Sequence, residues 1–221
     1  MKGLIRNNFY SIGSSLPILI ASELALLIVG IIILTVKGNQ NEFLTIAISG
    51  GIIGSQLGGC GALCGTAIQK DALSQWSKFE LTLPVSRATV IKSRYISFLL
   101  YCVIGLMMSL ITVASIYLLE LPVITERIGY SLVFGIVFAL AIPTFMTPLI
   151  LIFGADKNEI LLFISIVLGL GLFWGSATLA NVLFAGVSNL YFRSAYLIFS
   201  GILYVLSYLL SRYLYKRKEL M

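Results

Sequence analysis

Apolar residues run along this chain in stretches too long for the strands or amphipathic helices of a water-soluble domain. Uncharged or nearly uncharged runs fall at about 16–36, 43–67, 95–119, 129–153, 160–181 and 194–213. Each approaches or exceeds the ~20 residues a helix needs to cross a hydrocarbon layer of ~30 Å. The pattern predicts an all-α integral membrane protein with six transmembrane helices in one membrane domain over residues 1–221. The first run is also longer than the ~7–15 apolar residues of a cleavable signal, so it is expected to remain as a span.

Two stretches between or before the runs have a pattern of their own. In Met1–Ser15, residues Leu4, Ile5, Phe9, Ile12 and Leu16 share an arc of about 140° at 100° per residue, interrupted by Asn8. Lys2, Arg6, Asn7 and Ser11 lie outside it. This predicts an amphipathic helix resting in the membrane interface; the other reading is a frayed basic tail. The second stretch is the gap Ile68–Arg94, the longest in the chain. Asp71 is placed to cap a short helix from Ala72, on which Leu73, Trp76, Phe79 and Leu83 share one face. Pro84 ends that helix, and Ser86 is placed to cap another that runs into the third span. Such an elbow either presents Trp76 and Phe79 to a protein partner or anchors them in lipid headgroups.

Charge adds orientation. The net charge is +6, but the basic residues sit in short gaps rather than on one soluble face, which argues against nucleic acid. Lys2, Arg6, Lys70, Lys78, Arg87, Lys92, Arg94, Lys157, Arg212, Lys216, Arg217 and Lys218 fall on one side of the six spans. Only Lys37, Arg127 and Arg193 fall on the other. The positive-inside rule then predicts a multi-pass protein of the cell membrane with both termini cytoplasmic. Tyr10, Tyr95, Tyr130, Tyr191, Tyr213 and Tyr215 are expected in the interfacial belts.

Within the spans, Gly50, Gly54, Gly58, Gly61 and Gly65 have the small-residue spacing of a close helix–helix contact. Pro143 and Pro148 each remove a backbone donor, so a kink is expected, either as a hinge or as a purely structural bend. The carbonyls they free need partners from within the protein. Glu23 is the acidic residue well inside a span. It reads as a polar group on a translocation path or subunit interface, or as a neutral carboxyl hydrogen-bonded to a neighbouring helix. Cys60, Cys64 and Cys102 lie in apolar runs without histidine anywhere in the chain, so packing is favoured over a metal site or disulfides. No phosphate-binding G-x-x-x-x-G-K-[ST] loop, H-E-x-x-H or G-x-S-x-G occurs, which leaves no motif for ATP hydrolysis or other catalysis.

The run DALSQWSKFELTLPVSRATVIKSRY resembles the second-to-third-span connection of ABC-2 type permeases, especially small Gram-positive ones. Asp71, Trp76, Phe79, Leu83, Pro84, Val85, Ser86, Arg87, Arg94 and Tyr95 stand at the matching places. The resemblance implies a permease subunit of an ATP-binding cassette exporter, paired with a second permease (the same chain or a sister) and with cytoplasmic ATPase subunits that hold ATP and magnesium. No cofactor is then expected in this chain. The elbow becomes a coupling helix, with Asp71, Trp76, Lys78, Phe79 and Arg87 as the expected ATPase contacts. The exporters it looks like carry amphipathic peptides, bacteriocins or phenol-soluble modulins. Without an ATPase, the same chain would be a small secondary transporter or an immunity-type sensor.

Overall fold

The computed structural model describes residues 2–37, 42–74, 86–121, 125–154, 157–183 and 190–217. These residues form seven helices: α1 (Lys2–Ser11), α2 (Ser15–Lys37), α3 (Glu42–Leu73), α4 (Arg87–Leu118), α5 (Thr125–Phe153), α6 (Asn158–Leu183) and α7 (Leu190–Arg217). Six of them, α2–α7, are long and apolar enough to cross a membrane, and no strand occurs among the described residues. In lipid a backbone can satisfy its own polar groups only as a helix or a closed barrel, and the near-continuous apolar runs leave the helix.

Helices α3 and α5 form the centre. Half of the apolar window of α5 is buried within the chain, against 18% for α6. Helix α5 packs on α3, α7, α6 and α4, and α2 leans on α3 at the edge. Gly154 ends α5 with a left-handed φ of +90° and returns its N–H to the Ile150 carbonyl at 2.9 Å. That is the backbone geometry glycine adopts without a Cβ penalty at a helix C-terminus, and it sends the chain directly into α6.

The glycines of α3 explain how α3 and α5 come so close. A Cβ built on Gly61 would fall 2.9 Å from the Ala139 carbonyl oxygen, and one on Gly58 would fall 3.0 Å from Phe138. Gly50 faces Ser131 of α5, and Gly65 faces Met146 of α5 and Leu162 of α6. Gly54 differs from the expectation for this set: nothing lies within 4 Å of its built Cβ. It stands between Gly50 and Gly58, which both face α5, yet no neighbour lies against it, so its spacing alone did not place it in a contact.

Both prolines lie inside a continuous α5, and each freed carbonyl meets a neighbouring helix. Pro148 leaves the Thr144 carbonyl without its helical donor, and the Ser207 hydroxyl of α7 donates to it at 2.6 Å. Pro143 likewise frees the Ala139 carbonyl, over which α3 passes at Gly61.

Two expectations change. Helix α3 runs unbroken through Ala72 to Leu73, so Asp71 is a residue of its last turn and not the cap of a new helix. Tyr95 is buried at 4% exposure in the core instead of lying in an interfacial belt, because its hydroxyl finds serine partners on α7. Ser86 does cap α4, its side chain accepting from the Thr89 N–H at 3.4 Å.

Candidate functional site

A group of polar contacts gathers where the gap between α3 and α4 begins and ends. In the last turn of α3 the Asp71 carboxylate, buried, accepts from Ser11 Oγ at 2.8 Å, and Arg94 Nη2 of α4 stands 4.0 Å from its second oxygen. A carboxylate at a helix C-terminus opposes the helix dipole, so the hydroxyl and the guanidinium offset an otherwise unfavourable placement. One residue earlier, Lys70 Nζ donates to Ser14 Oγ at 2.7 Å and to Ser15 Oγ at 3.1 Å. The cation there suits the same helix end. Together Lys70 and Asp71 tie the end of α3 to the α1–α2 turn and to α4.

Helix α1 is set into this joint. Its arc is turned onto the bundle, with Leu4, Asn8 and Ile12 buried. Asn8, which interrupts the apolar arc in the sequence, donates from Nδ2 to Ser97 Oγ at 2.9 Å, and its carbonyl accepts from Tyr101 OH at 2.9 Å. Phe9 meets the edge of the Tyr101 ring at a centroid distance of 5.1 Å. Asn8 is therefore the polar contact that registers α1 against α4.

Next to Arg94, Tyr95 fastens α4 to α7. Its hydroxyl lies 2.7 Å from Ser207 Oγ and 2.9 Å from Ser211 Oγ. Ser207 gives its proton to the Thr144 carbonyl, so Tyr95 donates to Ser207 and accepts from Ser211. Tyr204 OH closes the group by donating to the Tyr95 carbonyl at 2.7 Å, and Tyr204 and Tyr208 pack edge-on to the Tyr95 ring. A run of contacts thus leads from Ser11 and Asp71 through the Arg94–Tyr95 pair to the backbone of α5 at its proline.

Deeper in the helices, Glu23 of α2 accepts from Ser55 Oγ of α3 at 2.8 Å, and its other oxygen lies over Gly59. Gln56 and Thr112 exchange hydrogen bonds at 2.8 and 3.0 Å between α3 and α4. Among the described residues, no group of three His, Cys, Asp or Glu side chains is arranged to hold a metal ion.

Of the residues singled out in the sequence, the structure brings Asp71 to a buried joint, committed to Ser11 and Arg94. Arg87 opens α4, with its side chain outside the described residues, and Trp76, Lys78 and Phe79 lie outside them altogether. Sequence reasoning missed Ser11, Ser207 and the internal role of Asn8. The Asn8 signal was present as a polar residue centred in an apolar arc, and Ser207 and Ser211 share a helix face by their spacing.

A family model described as an ABC-2 family transporter protein matches residues 3–216. The chain belongs to that family. As an ABC-2 family member it is a multi-pass membrane permease of an ABC transporter, a transport subunit that is not itself catalytic. Permeases of the ABC-2 family typically work with a cytoplasmic ATPase subunit. No curated protein and no solved structure matches the chain.

Proposed function

We propose that this ABC-2 permease exports an amphipathic, peptide-like molecule, with ATP hydrolysed by a separate subunit that seats on the segment between α3 and α4. The observation that carries this reading is the joint at the base of that segment. Asp71 at its start and Arg94 beyond its end are held to each other and to Ser11. Such an anchored segment passes a push from a partner into three helices at once, whereas a slack connector absorbs it.

The gaps on the side of this segment carry most of the lysine and arginine, which supports a reading with that side and both termini cytoplasmic, facing the ATPase. Trp76, Lys78, Phe79 and Arg87 supply the docking surface, and Asp71 holds its base. Tyr95 and Ser207 carry displacement of α4 toward the proline-bearing part of α5. Two permeases, each with its ATPase, enclose the path that the substrate takes.

Trp76→Ala and Arg87→Glu are expected to reduce ATP-driven export at least tenfold while membrane yield stays at the unaltered level. Copurification of an ATPase bearing a phosphate-binding loop should fall with them. Wild-type copurification together with wild-type export in both variants would refute the docking assignment.

A further inference from the structure

Between α2 and α3 runs an open groove, walled by Leu26, Val29 and Ile33 on one side and by Ala47, Gly51 and Ser55 on the other. Its α3 wall is low, since a Cβ built on Gly51 would meet nothing within 4 Å. The groove is apolar along its length and polar at the end formed by Ser55, whose hydroxyl donates to Glu23 Oε2 at 2.8 Å. Glu23 itself is 94% buried (6% exposed), with Oε1 over Gly59. Counting at 1.5 Å per residue, it lies roughly 12 Å along α2 from Ser15, well inside the span.

The helices that build that end offer the Glu23 carboxyl no cation. No lysine or arginine occurs between Arg6 and Lys37, or between Glu42 and Lys70. An acidic side chain at the centre of a membrane helix costs ~2.5–3.5 kcal/mol on the insertion scale, and one hydroxyl offsets only part of a full charge. An ammonium or guanidinium group seated there would favour the ionised carboxylate and pair with it, and the apolar walls would cover the chain attached to it. A second copy of these helices offers no such partner, because it brings the same carboxyl and no cation within α2 or the membrane part of α3. A phospholipid acyl chain would fill the groove but leave Glu23 as it is.

We infer that this groove binds a cationic amphiphile, with its positive head at Glu23 and Ser55 and its apolar tail along Leu26–Ile33 and Ala47–Gly51. As a step in export the site rests on the function proposed above, and it assigns the charge of the substrate. Binding itself does not depend on the ATPase.

The test uses the full chain alone in phosphatidylcholine nanodiscs with three photoactivatable dodecyl probes bearing an ammonium, a maltoside or a sulfate head. The ammonium probe should bind at least tenfold tighter than the maltoside, a difference of about 1.4 kcal/mol, and should label α2 and α3 at the groove. Glu23→Gln keeps a partner for Ser55 and should bring the ammonium probe to the maltoside affinity. Gly51→Leu fills the groove and should weaken ammonium and maltoside probes alike. Equal ammonium and maltoside affinity in the unaltered chain, or an unchanged ammonium affinity in Glu23→Gln, overturns the site. So does a Gly51→Cys cross-link between two copies that excludes the probe. If Glu23→Gln fails to insert, the labelling map of the unaltered chain decides: ammonium label in the groove supports the site, and label elsewhere overturns it. Loss of ATP dependence in a transport assay would undo the proposed function and leave these binding results standing.

Discussion

Ser207 holds a position out of proportion to its size. It donates to the Thr144 carbonyl that Pro148 frees and accepts from Tyr95. Ser207→Ala leaves the buried Thr144 carbonyl without its donor and Tyr95 with Ser211 as its serine partner, and an unsatisfied group costs about 1–3 kcal/mol. A lower melting temperature of the purified protein in nanodiscs should report it. Glycines of one repeat should likewise respond differently. Gly61→Ala drives a methyl group into the Ala139 backbone, which has no rotamer to yield, and is expected to destabilise the chain. Gly54→Ala meets open space and should be neutral or gain up to about 1 kcal/mol of helix propensity; a shared response of the two variants in thermal melting would contradict this placement. The repeat of small residues was legible in the sequence, but which of them touch was not. Spacing defines a stripe on one helix, and contact at each position of it is decided by what the neighbouring helix presents there.

At the scale of elements, α5 and α1 show what periodicity conveys and what it omits. The prolines announced that two carbonyls of α5 would need partners, and the physics required those partners to be protein. Their identity depended on α7 and α3 lying beside α5, which no local pattern encodes. The assignment has a direct test. Pro148→Ala restores the missing donor to Thr144, so Ser207 becomes partly redundant. Ser207→Ala should therefore cost less in the Pro148→Ala background than alone, by about 1 kcal/mol in a double-mutant cycle; strict additivity would mean that the two do not share the carbonyl. In α1 the apolar arc was visible, yet the same arc suits lipid or protein equally well. The buried Asn8–Ser97 contact shows that it faces protein. Because Ser11 and Asp71 close the far end of α1, Asp71→Asn is expected to loosen it. A short bifunctional cross-link between cysteines at positions 8 and 97 should form more slowly in that variant; an unchanged rate would release Asp71 from this role.

For the whole molecule, six spans were readable because the bilayer imposes a length and a polarity on every helix. The ends were legible in part: Ser86 announced the start of α4 at Arg87, whereas α3 continues past its predicted span to Leu73, where a new helix was expected from Ala72, so both helices extend beyond their apolar runs. Hydropathy falls where lipid ends, whereas a helix ends where its backbone loses partners, and these need not coincide. The extensions carry Lys70, which reaches Ser14, and Asp71 and Arg94, which stand together. On the proposed function, a movement imposed on the segment between them would pass through these polar contacts into α1, α4 and α5. The most direct test is flux in proteoliposomes that hold this chain with its phosphate-loop ATPase and a labelled amphipathic peptide inside an ATP-containing medium. Peptide movement should require both the ATPase and hydrolysable ATP, and should fall at least tenfold with Trp76→Ala. Movement at the same rate without the ATPase, or with ATP replaced by a non-hydrolysable analogue, would contradict an ATP-driven permease.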